Sequence, residues 1–377
     1  MAKTVVIVGS GFGGLEAALN IRDLLPEDEI IVIDKKQQFT YQPALHSLAC
    51  GFVKKKSVVM NLEKIFRKNN IKFYQEEAVE VKPLENSVIT KMRKINFDYL
   101  VLSTGGMVNY HDMTDLEEHY FKLKRVLDAE NIRVNIKEEI KKAKHYNNPP
   151  NIVICGGGLT GVELAAEIAD KVKGKAKITI LQSGPKIMNG FSKEVVKYSE
   201  LVLKKKGVDI RTNSTIVSGK KGMVCLKNGE EIYASIIIWC GGVKSNPLNY
   251  KAGLGINDKG LIMVNEFLQT TQPHIYAVGD CSYNYKNPQP ATAQSAMHQG
   301  ELVAYNIYAE IKSVEKKVFI PGDHPYLISI GRMHGVMIKK KSLKKGFIPI
   351  LLKKFVQKEY MFKHRHWMWP LKKVKLK

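Results

Sequence analysis

A short apolar run, a glycine-rich turn and a helical pattern follow one another at the start of the chain. Residues 4–8 are mostly β-branched and predict a buried strand, and the residues from Leu15 onward have the period of a helix. The turn reads Gly9-Ser-Gly11-Phe-Gly-Gly14, and the next predicted strand ends at Asp34. Glycines at this spacing permit a tight turn, contact with a pyrophosphate, and close packing of helix on strand. The stretch therefore predicts a dinucleotide-binding unit in which Asp34 accepts ribose hydroxyls.

The same pattern occurs again in the middle of the chain. A predicted strand at 151–155 is followed by Gly156-Gly-Gly158-Leu-Thr-Gly161 and by a helical pattern at 162–169. The next strand ends at Gln182, where the first copy has an acid. Two such units indicate two bound nucleotides, or a duplication in which one site has been lost. Because the second copy keeps all its glycines, we expect two nucleotides.

The rest of the chain continues to alternate strands and helices. Further strands are predicted at 71–81, 87–90, 96–102, 208–211 and 231–239, and further helices at 121–144, 192–206 and 293–311. Such alternation is typical of α/β folds built on parallel sheets.

The net charge of +23 is concentrated at the C-terminal end. Residues 311–377 contain 18 Lys or Arg and 3 acidic residues, which indicates an anionic partner surface, either membrane or nucleic acid. No apolar run approaches the ~20 residues that span a bilayer, and the first strand begins too early for a signal peptide. We therefore expect a cytoplasmic protein, or one on the cytoplasmic face of a membrane.

The C-terminal segment also has a helical stripe. One predicted face holds Ile348, Leu351, Leu352, Phe355 and Phe362, and the opposite one holds Lys353, Lys354, Gln357 and Lys358. Flanking lysines and tryptophans are Lys339, Lys340, Lys341, Lys344, Lys345, Trp367, Trp369, Lys372 and Lys373. This composition is typical of a helix in a bilayer surface, although a helix packed on the core would share the stripe. No nucleic-acid-binding motif accompanies the charge, so we expect an anionic membrane partner and no nucleic acid.

The five cysteines, Cys50, Cys155, Cys225, Cys240 and Cys281, include no close pair. A disulfide framework and a zinc site are therefore not expected. His364 and His366 have no third ligand nearby in sequence, so we expect no metal site there either.

Several stretches together resemble the flavoproteins with two dinucleotide-binding domains, over roughly residues 1–310. They are the two glycine turns, Ser103-Thr-Gly-Gly106, and Ile275-Tyr-Ala-Val-Gly-Asp280. Within that group the chain is most similar to the type II NADH:quinone dehydrogenase family. The similar stretches are Tyr41-Gln-Pro-Ala-Leu-His46, Gly158-Leu-Thr-Gly-Val-Glu163, Ile238-Trp-Cys-Gly-Gly-Val243 and Ala293-Gln-Ser-Ala296.

The resemblance implies an α/β fold with two Rossmann-like domains and a C-terminal membrane-docking segment. We expect an FAD domain at 1–112 and 246–312, an inserted NAD(P) domain at 113–245, and the docking segment at 313–377. Electrons would pass from NADH or NADPH through non-covalent FAD to a membrane quinone, without proton pumping. The protein would sit peripherally on the cytoplasmic face of the membrane, and a homodimer stays open.

The resemblance also implies the site residues. For FAD they are Gly9, Gly11, Phe12, Gly13, Gly14, Asp34, Lys35, Gln42, Val79, Thr104, Gly105, Gly279, Asp280, Ala293 and Gln294. For NAD(P) they are Gly156, Gly158, Leu159, Thr160, Gly161, Glu163, Gln182 and Gly242. Glu163, Gln294 and His298 are the expected catalytic residues. Glu163 would lie near the flavin, although an acid in a first helical turn is also favoured by the helix dipole.

Two positions depart from the family pattern. His298 stands where the family usually has a second glutamine, so its contact with quinone is open. Gln182 replaces the acid usual in NADH enzymes, so the choice between NADH and NADPH is open.

Three alternative functions follow from the same motifs. One is a sulfide:quinone-type enzyme, although this chain has no cysteine after Cys281, where that chemistry needs one. The others are a soluble ferredoxin or rubredoxin-type reductase and a flavoprotein with a nucleic-acid-binding tail.

Overall fold

The computed structural model describes residues 2–113, 115–146, 148–288, 291–322, 324–340 and 342–366. Its strands are β1 (Thr4–Val8), β2 (Glu29–Ile33), β3 (Gln38–Thr40), β4 (Val59–Asn61), β5 (Lys72–Tyr74), β6 (Ala78–Lys82), β7 (Ser87–Thr90), β8 (Lys94–Asn96), β9 (Tyr99–Leu102), β10 (Gly106–Val108), β11 (Phe121–Lys122), β12 (Asn151–Cys155), β13 (Lys177–Leu181), β14 (Val208–Arg211), β15 (Ile216–Lys220), β16 (Met223–Leu226), β17 (Glu231–Tyr233), β18 (Ile236–Trp239), β19 (Val243–Ser245), β20 (Ile262–Val264), β21 (Ile275–Ala277), β22 (Ser282–Asn284), β23 (Tyr326–Ser329), β24 (Gly335–Lys339) and β25 (Ser342–Gly346). Its helices are α1 (Phe12–Leu24), α2 (Leu45–Ala49), α3 (Leu62–Lys68), α4 (Asp115–His119), α5 (Val126–Tyr146), α6 (Leu159–Val172), α7 (Lys193–Lys205), α8 (Pro247–Lys251), α9 (Ala293–Ile311) and α10 (Ile348–Arg365).

Two parallel sheets of the same design form the core. The first has the order β21-β9-β1-β2-β5, and the second has the order β11-β18-β12-β13-β14. Every pairing within both sheets is parallel. In each sheet the strand before the glycine turn is central, so the helix that follows the turn starts at the carboxyl edge of the sheet. This is the mixed α/β fold with Rossmann-like sheets that the sequence predicts.

Several element boundaries differ from the sequence prediction. Helices α1 and α6 begin inside their glycine turns, at Phe12 and Leu159, and not after them. The predicted helix at 121–144 is wrong at its start, because residues 121–122 form the edge strand β11. The predicted strand at 231–239 is two strands in different sheets. Its break comes where Ala234 N donates to Gly222 O and Ser235 N donates to Asn151 O.

The predicted strands at 71–81 and 96–102 are also interrupted. Residues 72–74 pair in the first large sheet, whereas residues 78–82 belong to a small antiparallel sheet. Asp98 separates β8 from β9 and accepts hydrogen bonds from Thr4 N at 2.8 Å and Lys3 Nζ at 2.9 Å. Asp98, whose side chain binds residues at the start of β1, thus lies at the break between β8 and β9.

The C-terminal part folds onto both sheet units. Strands β23, β24 and β25 form an antiparallel sheet, and α10 packs against all three. Within the described residues, no helix is both long and apolar enough to cross a bilayer. Lys341, Trp367, Trp369, Lys372 and Lys373, which we expect beside the docking helix, lie outside the described residues.

Candidate active site

A cavity of about 700 Å³ lies where the two sheet units and the C-terminal part meet. This volume is within the usual range for ligand sites. Many of the predicted site residues line it, namely Gly9, Gly11, Phe12, Gly13, Asp34, Lys35, Gln42, Thr104, Gly105, Leu159, Thr160, Glu163, Gly242, Gly279, Asp280, Ala293 and Gln294. Predicted residues up to 285 positions apart in sequence, from Gly9 to Gln294, are therefore brought to one space, to which α10 adds Lys353 and Val356.

The first glycine turn has the geometry that a dinucleotide requires. Gly9 has φ +94°, and a Cβ there would lie 2.2 Å from Ser103 O. A Cβ on Gly14 would lie 1.9 Å from Gly9 O, whereas one on Gly11 would enter open space. Helix α1 has no side-chain cap and no acid in its first turn, so its N–H groups and dipole are available to an anion. The turn therefore fits the pyrophosphate of a dinucleotide such as FAD.

The second glycine turn repeats this geometry. Gly156 has φ +117°, and a Cβ on Gly161 would lie 2.0 Å from Gly156 O. Gly158 faces open space and precedes α6, whose N-terminus also has no side-chain cap. These three glycines do not line the main cavity, which is lined by three residues of α6, namely Leu159, Thr160 and Glu163. The second turn is thus built for a second dinucleotide whose reactive end could enter the cavity along α6.

Asp34 and Gln182 occupy equivalent places in the two units. The Asp34 carboxylate accepts from Ser10 N at 2.8 Å and from Ser10 Oγ at 2.6 Å. The Gln182 side-chain oxygen accepts from Gly157 N at 2.8 Å. Each side chain therefore supports its own glycine turn, but only Asp34 brings a negative charge, and only Asp34 lines the main cavity.

Glu163 is buried at the end of the cavity among cationic and hydroxyl groups. Its carboxylate pairs with Lys353 Nζ of α10, accepts from Ser329 N at 2.8 Å and Ser329 Oγ at 2.9 Å, and lies 3.6 Å from His46 Nδ1. Burial by itself raises the pKa of Glu163, but Lys353 and His46 hold that pKa below its ordinary value. Glu163 is therefore a carboxylate in the folded protein at neutral pH, and α10 provides its main counter-charge.

Helix α10 is attached to the first unit as well. His364 Nε2 lies 2.7 Å from a carboxylate oxygen of Glu16 on α1, and both side chains are buried. One turn earlier, the Tyr360 ring packs 5.3 Å from Phe12 and 5.7 Å from Phe39, between ring centroids. Because Phe12 opens α1 beside the glycine turn, α10 supports the nucleotide cradle of the first unit and the Glu163 end of the cavity.

The structure decides which face of α10 packs on the protein. Lys353 and Gln357, which the sequence places opposite the apolar stripe, turn toward the protein, where Gln357 Nε2 donates to Ser57 O at 3.2 Å. The predicted apolar stripe, Ile348, Leu351, Leu352, Phe355 and Phe362, is exposed, with Phe355 63% and Phe362 68% accessible. The buried face is instead formed by Pro349, Ile350, Tyr360, Met361 and His364. The stripe is therefore available to another surface.

His298 does not line the main cavity. It lines a smaller neighbouring cavity, and its Nε2 lies 2.5 Å from Nε2 of His324. Gln294, one turn earlier on α9, lines both cavities. A direct contact between His298 and a ligand in the main cavity, which sequence analysis left open, is not what this geometry indicates.

Seven of the predicted site residues lie outside the main cavity, and several residues that sequence analysis missed line it. The former are Gly14, Val79, Gly156, Gly158, Gly161, Gln182 and His298, while Ala78 lines it in place of Val79. The latter include His46, Lys124, Trp239 and Lys353. His46 and Trp239 fall inside the stretches that carry the family resemblance, so that resemblance could have indicated them. Lys353 had no signal beyond one lysine among many.

The cysteines form no disulfide in the described part of the chain. All five cysteines are free thiols, and burial raises the pKa of Cys155 and Cys281. Among the described residues, no group of three or more His, Cys, Asp or Glu side chains could hold a metal ion.

Residues 3–300 match the pyridine nucleotide-disulphide oxidoreductase family. The chain belongs to this family. Among its relatives, a type II NADH:quinone oxidoreductase of Staphylococcus aureus strain MSSA476 is 26% identical over 385 aligned residues, which cover 96% of each chain. The protein of strain NCTC 8325 with the same name gives the same identity and coverage. The resemblance to type II NADH:quinone dehydrogenases is thereby confirmed.

Solved structures share the fold along almost the whole chain. NDH2 from Plasmodium falciparum, solved with NADH, superposes with a TM-score of 0.85 at 18% identity, covering 97% of this chain and 98% of that one. The sulfide:quinone oxidoreductase of Aquifex aeolicus has a TM-score of 0.84 at 24% identity, covering 97% and 92%. At these identities the likeness shows the fold alone.

The ion pair between Lys353 and Glu163 yields a stability prediction. Lys353→Met should lower the free energy of unfolding at pH 7 by about 3 kcal/mol, because a buried carboxylate loses its main counter-charge. In the native protein the lowered pKa of Glu163 contributes stability above the ordinary Glu range, and that contribution disappears as the pH falls through the lowered pKa. Denaturant titrations should therefore show a difference that is large at about pH 7 and shrinks as the pH falls below about 4.

The neighbouring exposed residue supplies the control. Lys354→Met removes the same charge one position later, on the exposed side of α10, and should change the stability by no more than about 0.5 kcal/mol. The double variant Glu163→Gln with Lys353→Met should recover part of the loss, since no buried charge remains. Equal effects of Lys353→Met and Lys354→Met would contradict the assignment.

Proposed function

We propose that the protein is an FAD-dependent NADH:quinone oxidoreductase. The observation that carries the proposal is the single cavity bounded by both dinucleotide units and by α10, with buried Glu163 and Lys353 at one end. Two cradles of matching geometry suit two dinucleotides, and the cavity gives them a common meeting place. The type II NADH:quinone oxidoreductases of S. aureus, aligned over nearly the full chain, support NADH as donor and quinone as acceptor.

In this proposal the residues of the first unit bind and orient the flavin nucleotide. The glycine turn and the N-terminus of α1 hold the pyrophosphate, Asp34 accepts the ribose hydroxyls, and Asp280 accepts a hydroxyl of the ribityl chain. Thr104, Gly105 and Ala293 shape the wall beside it. FAD, when bound, accepts a hydride from the nicotinamide and passes two electrons to the quinone.

The residues of the second unit and of α10 complete the site. Gly158, Gly161 and the start of α6 hold the nicotinamide nucleotide, with Gly242 at the end of the neighbouring strand. Glu163 keeps a negative charge at the cavity end, and Lys353 and His46 fix its position. Gln294 offers an amide to the acceptor. The division into domains at 1–112 with 246–312, 113–245 and 313–377 remains part of the proposal.

A visible spectrum tests the proposed function. Purified protein should be yellow, should bleach with NADH in the absence of oxygen, and should regain its colour when a short-chain quinone is added. Asp280→Ala serves as the flavin-poor control, because it removes the carboxylate expected to hold the ribityl chain. A colourless wild-type protein, or a reduced protein that quinone leaves bleached, would refute the proposal.

Gln182 makes the choice between NADH and NADPH testable. A carboxylate at this strand end would repel a 2′-phosphate, and a neutral amide does not. Gln182→Glu should therefore raise the preference for NADH over NADPH by about tenfold in kcat/KM, which corresponds to about 1.4 kcal/mol. The measurement is steady-state kinetics with both nucleotides.

Asn228→Asp is the matched control for that substitution. It adds the same charge to an exposed turn of the same unit, after β16, and should leave the ratio unchanged. A ratio that does not respond to Gln182→Glu would mean that this side chain is not beside the ribose.

We also propose that the exposed stripe of α10 docks the enzyme on a membrane. Ile348, Leu351, Phe355 and Phe362 present a continuous apolar face, because the other face of the helix is packed on the protein. Exposed lysines accompany it, at Lys339, Lys340, Lys344, Lys345, Lys354 and Lys358. Apolar side chains with flanking lysines suit the surface of an anionic bilayer, where each lysine contributes about 1 kcal/mol. Peripheral attachment would bring the cavity to a quinone dissolved in lipid.

Replacing apolar residues of the stripe tests the docking without opening the cavity. Phe355→Ser with Phe362→Ser should abolish sedimentation with anionic vesicles and should slow oxidation by a long-chain quinone far more than reduction by NADH. Leu84→Ser with Met92→Ser, which also removes exposed apolar side chains, should do neither. Undiminished vesicle binding by the phenylalanine variant would refute the proposal.

Truncation before the C-terminal segment would not test docking alone. It removes half-buried Lys353 and buried His364, which are the partners of Glu163 and Glu16. Charge reversal of Lys353, Lys354 and Lys358 together would also remove the partner of Glu163. Reversal of Lys354 and Lys358 alone leaves the ion pair between Lys353 and Glu163 intact.

A further inference from the structure

Two histidines from separate parts of the chain meet beside the main cavity. His298 lies on α9, and His324 lies on the connection from α9 to β23. Their Nε2 atoms are 2.5 Å apart and their ring planes are at 81°. A Cβ on Gly322 would lie 2.6 Å from His298 Cε1, so the connection can rest on the imidazole only because residue 322 is glycine.

The pair connects solvent with the wall of the main cavity. His324 is exposed and His298 is half-buried. Both line the smaller cavity together with Thr292, Gln294 and Tyr326, and these three residues also line the main cavity. The exposed ring of His324 and the amide of Gln294 therefore line one small cavity, with His298 also in its wall.

The proposed reaction takes up a proton from solvent, because the hydride alone does not supply both protons of the quinol. The hydride carries two electrons and one proton, while reduction of a quinone to a quinol takes up two electrons and two protons. The balance is NADH + H⁺ + quinone → NAD⁺ + quinol. One proton per turnover must come from water.

We propose that His324 and His298 conduct this proton from solvent to the acceptor end of the cavity. The inference rests on the proposed function. A proton taken up at the exposed ring of His324 crosses the Nε2–Nε2 hydrogen bond, and His298 releases a proton from its other ring nitrogen toward the small cavity. Rotation or reprotonation of the rings then restores the starting tautomers. His298 acts as a relay and does not touch the acceptor.

The charged groups around His298 suit a relay. Burial lowers the pKa of His298 and the charge of His324 lowers it further, whereas Glu16 on α1 opposes the change. Asp280 precedes α9 and lines the main cavity, and Glu301 follows His298 on its own helix. His298 is thus uncharged at rest at neutral pH, with a ring nitrogen able to accept the shared proton.

The test separates the step that needs a proton from the steps that do not. His298→Asn keeps a polar side chain without a titrating group and does not recreate the glutamine usual in the family, and His324→Gln removes the exposed partner. In stopped-flow experiments with the flavin-loaded enzyme, both variants should be reduced by NADH at the wild-type rate. Reoxidation by a short-chain quinone should be about tenfold slower, a part of what a positioned proton donor contributes.

Three further readouts distinguish a relay from a structural role. Reoxidation by ferricyanide, which takes electrons without protons, should be unchanged. Added imidazole should restore quinone reoxidation in the variants, and the wild-type dependence on pH near the imidazole range should be lost in them. His274→Gln, an exposed histidine beside Glu310, should behave as wild type in all assays.

The failures of the two proposals are distinguishable. If wild-type protein is reduced by NADH but quinone never reoxidises it, the proposed function fails, and the relay with it. If quinone reoxidises His298→Asn and His324→Gln at the wild-type rate with the wild-type pH profile, the relay alone is refuted. Slowing with ferricyanide as well as quinone would also refute it, since electron transfer itself would then be impaired.

Discussion

The buried carboxylate of Glu163 is the group on which the assembly of this protein depends. It lies on α6 of the second unit, but its partners are His46 of the first unit and Ser329 and Lys353 of the C-terminal part. A charge in this position is tolerable only while those partners are in place. The carboxylate therefore ties the three parts of the chain together at one end of the cavity.

The same side of α6 repeats this arrangement along its length. Glu167 accepts from Ser47 Oγ at 2.7 Å, and Asp170 accepts from Arg332 N at 2.7 Å and pairs with Lys206. Three acids one turn apart thus each bind groups from elsewhere in the chain. Those bonds lie outside the sheets and help to give the cavity between the units a defined shape.

The two faces of helix α10 have different surroundings. Its inner face completes the cavity through Lys353 and supports the first glycine turn through Tyr360. Its outer face leaves Phe355 and Phe362 exposed. If that face meets lipid, as proposed, the surface that carries the acceptor lies one helix diameter, about 10 Å, from the cavity. Docking would then place the quinone close to the cavity without a change in the conformation of the protein.

The sequence by itself determined the two strand–turn–helix units, because a glycine at positive φ such as Gly9 and the packing at Gly14 are local requirements. It equally determined that α10 has an apolar stripe, since a helical period needs no other element, but the exposure of that stripe was decided by the tertiary structure. Only the tertiary structure decided that Lys353 turns inward, because its partner Glu163 is 190 residues away. The meeting of His298 with His324 was likewise outside the reach of local patterns. Periodicity assigns residues to faces, but the charge that a face meets is set by which elements pack against it.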